Sequence, residues 1–497
     1  MQQSIAIHEL PQTFQDAISV TRHFGLEYIW IDSLCIIQDD QIDWRYESRL
    51  MTSVYGGSSL VIAASHAKDG SKGCFVNRNP KSVVPCFVTL SGEQYRCVPA
   101  SVYSRGVNDT ALSQRAWAFQ ERFLAPRTLL FGASQIFWEC QEKKACETFP
   151  GGLPSSVQFD RSVFVHDDGR MGHSIMDDAQ SNPSAWSDIV LAYSAGRLTR
   201  ESDKLPAISG VARWMHQFSG DEYLAGLWRD DLEWQLLWSV NSTSNTNRHS
   251  SGSVSESSLY RAPSWSWASR NGIIRQQFPL LTQRGTSNYD LLVKVLSASI
   301  VPDTEGDPFG QVTNGFIRLS CHGLLRLKSA CGGSAAAAKD VELSIQYGNK
   351  GNERNNKASL LWDDDNNSWQ TFDDAWLLPV WTINPAKPDS TRLPGIRWGG
   401  LLLRKQGKSC YRRVGRADMY ADMESDAYLD EDYESLGFTP DQQSSKSRLE
   451  SSFRKHSFDV AAFIMDPNVD YAGFKIDSLE SIIDKYSGLC QTIITLV

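Results

Sequence analysis

The sequence predicts an α/β fold, a parallel sheet flanked by helices, followed by a mixed α+β C-terminal region. Two short apolar runs, at residues 28–32 and 59–64, enclose a stretch with helical periodicity at 42–55. Strand, helix and strand with short joints form a right-handed crossover unit, which is typical of α/β domains. From Leu291 to about Leu327 apolar and polar residues alternate instead, which indicates strands.

The first predicted element is a helix from Leu10 to Phe24. Its apolar residues fall near helical spacing, Pro11 suits the first turn, and Gly25 supplies a stop. A strand at residues 28–32 follows, and the apolar run 34–37 continues it. A run that is apolar on both faces suits a strand covered on both sides, so Cys35 is predicted to be a buried thiol.

The second helix and its strand come next. Asp39 and Asp40 precede the helix at 42–55, where negative charge favours the helix dipole, and Gly56 and Gly57 end it. The block 112–140 then predicts a helix around residues 117–123 and strands at 128–131 and 136–138. Further helices are predicted at 186–193 and from the capping pair Ser202 and Asp203 to Met215.

The remaining segments divide the chain into three regions. Composition predicts a polar surface connection at 151–184 and loops at 239–258, 330–339, 349–358 and 363–367. The acidic segment 418–434 is predicted to be mobile. Trp265 and Trp267 alternate with small residues, which predicts a strand with both indoles on one face. We therefore expect domains at 1–150, at 151–270 (helical, ending in the tryptophan-rich strand) and at 271–497 (β-rich with mobile loops).

Composition restricts the expected classes of partner and the expected cellular compartment. The net charge of −9 and the pI near 5.6 disfavour nucleic acid, which requires a basic face. No apolar run reaches the roughly 20 residues that span a bilayer, and the N-terminus lacks a secretion signal. The ten cysteines show no metal-ligand spacing. These features predict a cytoplasmic protein with reduced thiols, no membrane partner and no metal or other cofactor.

Three blocks carry a resemblance to a known family. They are GLEYIWIDSLCIIQDDQIDWRYESRLMTSVYGGSSLVIAAS (25–65), LSQRAWAFQERFLAPRTLLF (112–131) and a series from Tyr193 to Ser269 that includes APSWSWAS. The first resembles the Leu-Cys-Ile-x-Gln-Asp and Asp-Trp-x-x-Glu patterns of fungal HET (heterokaryon incompatibility) domains. The second resembles the Arg-x-Trp-x-x-Gln-Glu-Arg block that closes such domains. The chain is identified as a member of that family.

The resemblance implies a fold and a point of departure from it. HET domains are distantly similar to TIR domains, which implies a TIR/flavodoxin-like parallel sheet in residues 1–150. Family members usually begin with a strand that contains Ser-Tyr-x-Trp-Gly, and no such motif occurs here. We therefore expect a shortened domain, with an unpaired sheet edge and part of a pocket removed.

The resemblance also implies a chemistry. Some TIR domains cleave NAD with a helical glutamate, and Trp44-Arg45-Tyr46-Glu47 resembles their Trp-x-x-Glu helix. A carboxylate can stabilise the oxocarbenium-like charge that develops when the bond between ribose and nicotinamide breaks. Glu47 is the predicted catalytic residue on this interpretation, with NAD as a substrate. The alternative is a surface glutamate that pairs with neighbouring arginines.

Further residues are predicted to line the same cleft and bind substrate. They are Asp32, Cys35, Gln38, Asp39, Asp43, Trp44, Arg115, Trp117, Gln120 and Glu121. The acids Asp32, Asp39 and Asp43 could bind ribose hydroxyls or a cation, or serve as helix caps. Arg115, Gln120 and Glu121 could line the cleft or form a buried network that ties their helix to the sheet.

Three functions remain open at the level of sequence. The first is a cell-death effector of fungal non-self recognition that acts by TIR-like NAD cleavage. The second is a non-enzymatic interaction or scaffold module of the same innate-immune-like response. The third is an inactive, shortened family member. The expected partners are other incompatibility or immune-receptor proteins and further copies of the chain.

Overall fold

The computed structural model of the chain describes residues 5–79, 81, 83–99, 101–154, 184–240, 260–276, 289–321, 324–326, 340–347, 352–363, 375–383, 396–420 and 492–497. These residues form helices and mixed sheets, which confirms the predicted α/β class. The predicted connection at 155–183 and the predicted loops at 241–258, 330–339 and 364–367 lie outside the described residues, as does 421–434 of the acidic segment.

The first helices follow the sequence pattern. Helix α1 spans Gln12–His23, the short helix α2 spans Asp32–Cys35, and α3 spans Gln41–Gly56. The side chain of Asp40 accepts hydrogen bonds from the backbone N–H groups of Ile42 and Asp43. These bonds satisfy donors that have no partner within the first turn of a helix.

The predicted strand at residues 28–32 is wrong. Residues 26–31 belong to no strand of the described chain, and α2 begins at Asp32. Tyr28 is 88% exposed, whereas a strand covered on both faces would bury it. Cys35 is exposed on α2 rather than buried in a strand. An apolar run does not by itself supply the neighbouring strand that a ladder of hydrogen bonds requires.

The N-terminal sheet has four strands. They are β1 (Val61–Ala63), β4 (Arg127–Phe131), β5 (Ile136–Cys140) and β6 (Lys144–Cys146). Between β1 and β4 in the chain, β2 (Cys86–Leu90) and β3 (Glu93–Cys97) form a separate hairpin. The order is β1-β4-β5-β6, with β1 and β4 parallel and the other pairs antiparallel. The predicted strands at 59–64, 128–131 and 136–138 are confirmed. The predicted parallel sheet is wrong, because short turns join β4, β5 and β6 and therefore pair them antiparallel. The likeness to a TIR/flavodoxin-like sheet stays a prediction.

A helical region with a tryptophan-rich core follows. Its elements are α4 (Ala116–Leu124), which precedes β4, then α5 (Ser184–Ser194), α6 (Ser209–Ser219), α7 (Leu232–Gln235) and the short strands β7 (Tyr223–Leu224), β8 (Leu227–Trp228), β9 (Trp238–Val240) and β10 (Ile274–Gln276). The predicted helix from Ser202 to Met215 is interrupted at Pro206, and two short 3₁₀ segments precede α6. Proline lacks the N–H group that a continuous helix requires.

The predicted strand through Trp265 and Trp267 is wrong, although both indoles are fully buried. Residues 264–266 form a turn, and a 3₁₀ segment spans Trp267–Ser269. The hydroxyl of Ser266 donates to the carbonyl of Ala225 and accepts from the N–H of Ala268. The bond from the Ala268 N–H to the Ser266 hydroxyl is local, and such bonds from serine favour a turn over a strand ladder.

The C-terminal region is a large, mainly antiparallel sheet. Its strands are β11 (Tyr289–Leu291), β12 (Val293–Pro302), β13 (Val312–Cys321), β14 (Leu325–Arg326), β15 (Asp340–Tyr347), β16 (Asn352–Trp362), β17 (Ala375–Ile383), β18 (Ile396–Lys405), β19 (Cys410–Tyr420) and β20 (Thr492–Leu496). The central order is β11-β17-β18-β19-β20-β13-β12, and β15 and β16 attach to β19. The predicted loop at 349–358 is wrong from Asn352 onward, because those residues pair with β15 and β19.

Helix α3 contacts this C-terminal region through two arginines. Arg45 forms an ion pair with Asp303 at 2.8 Å, and Arg49 forms one with Asp307 at 3.3 Å. Asp307 is itself buried and also binds Arg213 of α6 at 2.7 Å. One face of α3 is therefore occupied by contacts between regions. No helix in the described part of the chain is long and apolar enough to cross a membrane.

Candidate active site

A cavity of about 1190 Å³ lies beside the N-terminal sheet. Its walls are the inner face of α1, the extended residues 26–31, strand β1, the end of α3 and the first two turns of α4. Ligand pockets in proteins commonly measure about 300–1,000 Å³, so this cavity can hold a dinucleotide. A catalytic site of the N-terminal domain is expected in this cavity.

Four of the polar side chains that line this cavity interact with one another. They are Asp32, Tyr55, Arg115 and Glu121, and each of them lines its wall. Burial and, next, the charge of Asp32 raise the pKa of Glu121 to about 7, while Arg115 opposes this shift. Burial and the neighbouring Asp32 charge thus bring the pKa of Glu121 close to neutral pH, which suits a general acid or base.

Tyr55 completes the group as a hydrogen-bond donor. Its hydroxyl interacts with the Glu121 carboxylate, and burial followed by the charges of Glu121 and Asp32 raises the pKa of Tyr55 well above its ordinary value. The phenol therefore keeps its proton at neutral pH. The Tyr55 ring also packs edge-to-face on Trp30, with 5.7 Å between the ring centroids, so an aromatic wall adjoins the acids.

Local structure explains why these side chains converge. Asp32 is the first residue of α2, and its Oδ1 accepts a hydrogen bond from the Ser33 N–H at 2.7 Å. Arg115 directly precedes α4, where the N–H of Ala116 donates to the carbonyl of Arg197. Tyr55 lies in the last turn of α3, before the Gly56-Gly57 stop. Three helix ends therefore deliver Asp32, Tyr55 and Arg115, while Glu121 projects from within α4.

The neighbouring residues of α4 have structural contacts instead. Gln120 is fully buried, and its Oε1 accepts a hydrogen bond from the N–H of Gly210 at 2.6 Å, at the start of α6. The Trp117 indole donates to Asp203 at 3.3 Å and packs edge-to-face on Trp44 at 6.1 Å. Neither tryptophan nor Gln120 lines the cavity. Of the polar block in α4, Arg115 and Glu121 line the cavity, whereas Gln120 ties the helix to α6.

The predicted catalytic Glu47 lies elsewhere. It is partly buried on α3 and does not line the cavity. Its neighbours Arg45 and Arg49 bind the C-terminal aspartates rather than Glu47. A catalytic role for Glu47 stays a prediction, and the cavity offers Glu121 as the better-placed glutamate.

The other predicted site residues surround the α2 turn without converging. The Gln38 amide donates to the carbonyls of Asp32 and Ile36, and the Asp43 carboxylate accepts from the N–H of Ile37. Asp39 and Cys35 are exposed. No group of three or more metal-ligating side chains is arranged for a metal ion among the described residues. Within this set only Asp32 lines the cavity.

Tyr55 was missed by the sequence reasoning as a functional residue. The sequence placed it at the end of a helix, which says nothing about the side chain it faces. Its position one residue before a Gly-Gly helix stop was the available signal, because helix ends beside strands commonly border α/β clefts.

Comparison with known proteins adds one finding. Residues 1–121 match the family described as heterokaryon incompatibility protein (HET), which confirms the resemblance found in the sequence. Comparison with curated proteins and with solved structures gives no match. Asp32, Tyr55, Arg115 and Glu121 all fall inside the matched range. The candidate site is therefore a feature of the matched region rather than of the C-terminal sheet.

Proposed function

We propose that this chain, whose residues 1–121 form a HET domain, acts in fungal heterokaryon incompatibility by cleaving NAD in the cavity beside β1. The observation that carries the proposal is the meeting of Glu121, Asp32 and Arg115 in a cavity large enough for a dinucleotide. Loss of cellular NAD would then produce the programmed cell death by which such a protein rejects a non-self partner.

The charges in the cavity suit this substrate. NAD carries a cationic nicotinamide ring and an anionic diphosphate, which are attracted to carboxylates and to guanidinium respectively. Asp32 would face the ring and the developing ribose cation, and Arg115 would bind the diphosphate. The aromatic wall formed by Trp30 and Tyr55 provides a surface on which the flat nicotinamide can stack.

In the proposed reaction a water molecule attacks C1′ of the nicotinamide ribose. The bond between C1′ and the ring nitrogen breaks, its electron pair stays on nitrogen, and neutral nicotinamide leaves. The Glu121 carboxylate accepts the proton of the attacking water, and Tyr55 holds that carboxylate by a hydrogen bond. A base with a pKa of about 7 is matched to this transfer at neutral pH.

The test is NAD hydrolysis by the purified full-length chain, with ADP-ribose and nicotinamide quantified by chromatography. We expect Glu121→Gln to lower the rate at least about a hundredfold, because a general base contributes on this order. Glu142→Gln is the matched control, since Glu142 is exposed in the turn between β5 and β6. A Glu121→Gln protein as active as the control would eliminate this mechanism.

Glu47→Gln separates the two candidate glutamates. Full activity in this variant beside an inactive Glu121→Gln protein would support the cavity. The reverse result would transfer catalysis to the helix surface that the family resemblance indicates. Each substitution replaces a carboxylate by an amide of the same shape, so both variants are expected to fold. A thermal melt identifies a variant that does not.

A second candidate function is non-enzymatic assembly, and the surface of α3 favours it. Ile42, Tyr46 and Leu50 are spaced four residues apart and are 80%, 60% and 37% exposed. Side chains at this spacing share one helix face, and a contiguous exposed apolar surface is typical of interaction sites. This stripe could bind a further copy of the chain or another incompatibility or immune-receptor protein.

Expression in a filamentous fungus distinguishes assembly from catalysis. We expect Ile42→Asp/Tyr46→Asp to abolish death if assembly is required, while the purified variant still hydrolyses NAD. Gln41→Glu is the control because it adds a charge at an exposed position of the same helix that does not share the face of Ile42, Tyr46 and Leu50. Death that persists in the double variant would contradict a role for the stripe.

A further inference from the structure

Two cysteines lie opposite each other on an exposed hairpin. Strands β2 and β3 pair in antiparallel register, and Cys86 is aligned with Cys97 at the open end of the ladder. Both are exposed free thiols. None of the residues of this hairpin lines the cavity of the proposed chemistry.

The turn of the hairpin sets the geometry of the cysteine pair. Ser91 and Gly92 form a two-residue connection with φ of 53° and 85°, the left-handed values that fit tight hairpins. In such a hairpin the pair that flanks the turn exchanges hydrogen bonds, and every second pair repeats this. Counting from Leu90 and Glu93 makes Cys86 and Cys97 a hydrogen-bonded pair.

That position sets the two Cα atoms at a separation that a disulfide can span. The Cα atoms of a hydrogen-bonded antiparallel pair lie about 5.5 Å apart, which is the usual separation in a disulfide. The Cys86 Sγ already lies 3.6 Å from the carbonyl oxygen of Cys97, so the sulfur is turned across the ladder. The pair ends the ladder, which leaves its backbone room to adjust.

The other described strand cysteines face residues other than cysteine across their ladders. In register, Cys140 faces Arg127, Cys146 faces Phe137, Cys321 faces Val293 and Thr492, and Cys410 faces Thr495. We propose that Cys86 and Cys97 form a reversible cross-strand disulfide, a redox modification site on the surface of the HET domain. Exposed disulfides of this kind are readily reduced and are often regulatory.

Glutathione disulfide is the proposed oxidant. The thiolate of one cysteine attacks a glutathione sulfur, which forms a mixed disulfide and expels one glutathione thiolate. The second thiolate attacks the protein sulfur of that mixed disulfide, so the Cys86–Cys97 bond forms and a second glutathione leaves. Two protein thiols give up two protons and two electrons, and one glutathione disulfide becomes two glutathiones.

The bond would stabilise a surface that otherwise frays. An isolated two-stranded hairpin is marginally stable, and every residue of β2 is exposed. Phe87, Val88 and Leu90 on this strand are 59%, 41% and 59% exposed. A covalent link at the open end restricts the unfolded hairpin and so keeps this apolar surface ordered in the oxidised protein.

The test equilibrates the native full-length chain with a series of glutathione and glutathione disulfide ratios. The thiols are then blocked with N-ethylmaleimide and the peptides are mapped by mass spectrometry. We expect a linked Cys86–Cys97 peptide, lighter by two hydrogen atoms, that dithiothreitol reverses. Hydrogen exchange in residues 86–97 should slow by about tenfold or more on oxidation.

Variants provide the controls. Cys97→Ser should lose the link and the slower exchange and leave Cys86 as a mixed disulfide with glutathione. Cys35→Ser should change neither the link nor the hydrogen exchange, because Cys35 is an exposed cysteine on α2 and does not belong to the proposed pair. If Cys86 and Cys97 stay reduced, or each carries a separate glutathione in the folded protein, the proposal is overturned.

Discussion

An ion pair beside the candidate site allows a quantitative prediction. Arg122 directly follows Glu121, and its guanidinium binds Glu139 of β5 in a bidentate manner, with both N–O distances at 2.6 Å. The same guanidinium donates to Tyr103 at 3.0 Å and to Asn108 at 3.2 Å. Lys144 lies 3.9 Å from Glu139 on its other side. This pair attaches α4 to the sheet and so fixes the position of Glu121.

Substitution of Glu139 by Gln should be costly because it leaves two cations without their carboxylate. The side chains of Arg122 and Glu139 are only 16% and 12% exposed, so solvent replaces little of the lost interaction. Removing one partner of a buried pair costs about 3–5 kcal/mol. We expect about 3 kcal/mol, since the glutamine oxygen still accepts one hydrogen bond.

Removal of both charges should cost far less. In Arg122→Met/Glu139→Leu no desolvated arginine remains, although the contact of Lys144 with Glu139 is lost in this variant as well. Replacement of a buried pair by apolar residues is often neutral. We expect this double variant to recover more than half of the stability lost in Glu139→Gln. The difference between the two proteins measures the penalty of an unpaired charge rather than the net value of the ion pair.

Thermal unfolding followed by tryptophan fluorescence provides the assay. A loss of about 3 kcal/mol corresponds to roughly 6–12 °C in the Tm of a domain of about 150 residues. Glu142→Gln, in the exposed turn after β5, should shift the Tm by less than about 1 °C. The reasoning is refuted if Glu139→Gln melts with the wild type, or if the double variant is as unstable as Glu139→Gln.

Three further predictions concern single residues. Because the pKa of Glu121 is about 7 when folded and 4.5 when unfolded, its protonated form stabilises the fold below pH 4.5. That contribution is lost as the pH rises through 7, so urea titrations should show wild type losing more stability than Glu121→Gln over this interval. Gln120→Leu leaves the Gly210 N–H unsatisfied and should cost about 2 kcal/mol in the same titrations, and an unchanged midpoint would contradict this. Asp40→Ala should cost about 1 kcal/mol and speed hydrogen exchange at the start of α3, whereas Asp40→Asn should restore both.

Local signals in the sequence identified much of the fold. The boundaries of α3 follow from Asp40 before it and the glycine pair after it, and both effects act within one helical turn. The apolar run at 28–31 has the composition of a strand, yet it lacks a paired neighbour in the described chain. Pairing is a nonlocal property, so the run alone could not decide it.

The predicted strand in the tryptophan-rich segment was wrong for a different reason. Alternation of Trp265 and Trp267 with serines satisfies the strand pattern, but the Ser266 hydroxyl accepts from the Ala268 N–H in a turn and donates to the carbonyl of Ala225, 41 residues away. The Trp267 indole donates to the carbonyl of Gly226, as the Trp186 indole does at 2.8 Å. Burial of both tryptophans was predictable from their size, whereas the backbone shape was set by hydrogen bonds to a distant carbonyl.

The candidate site shows the same limit at the scale of one helix. Successive residues of an α-helix point about 100° apart, so Gln120, Glu121 and Arg122 must face different surroundings. Gln120 bonds to α6, Glu121 faces the cavity, and Arg122 binds Glu139 of β5 beside the cavity wall. Their shared polarity made them one group in the sequence, and only the packing of α4 separates their roles. The family pattern predicts Glu47 as the catalytic residue, whereas Glu121 is the glutamate that lines the cavity. Because a carboxylate acts on a substrate only where the substrate can be held against it, the cavity is the stronger physical argument.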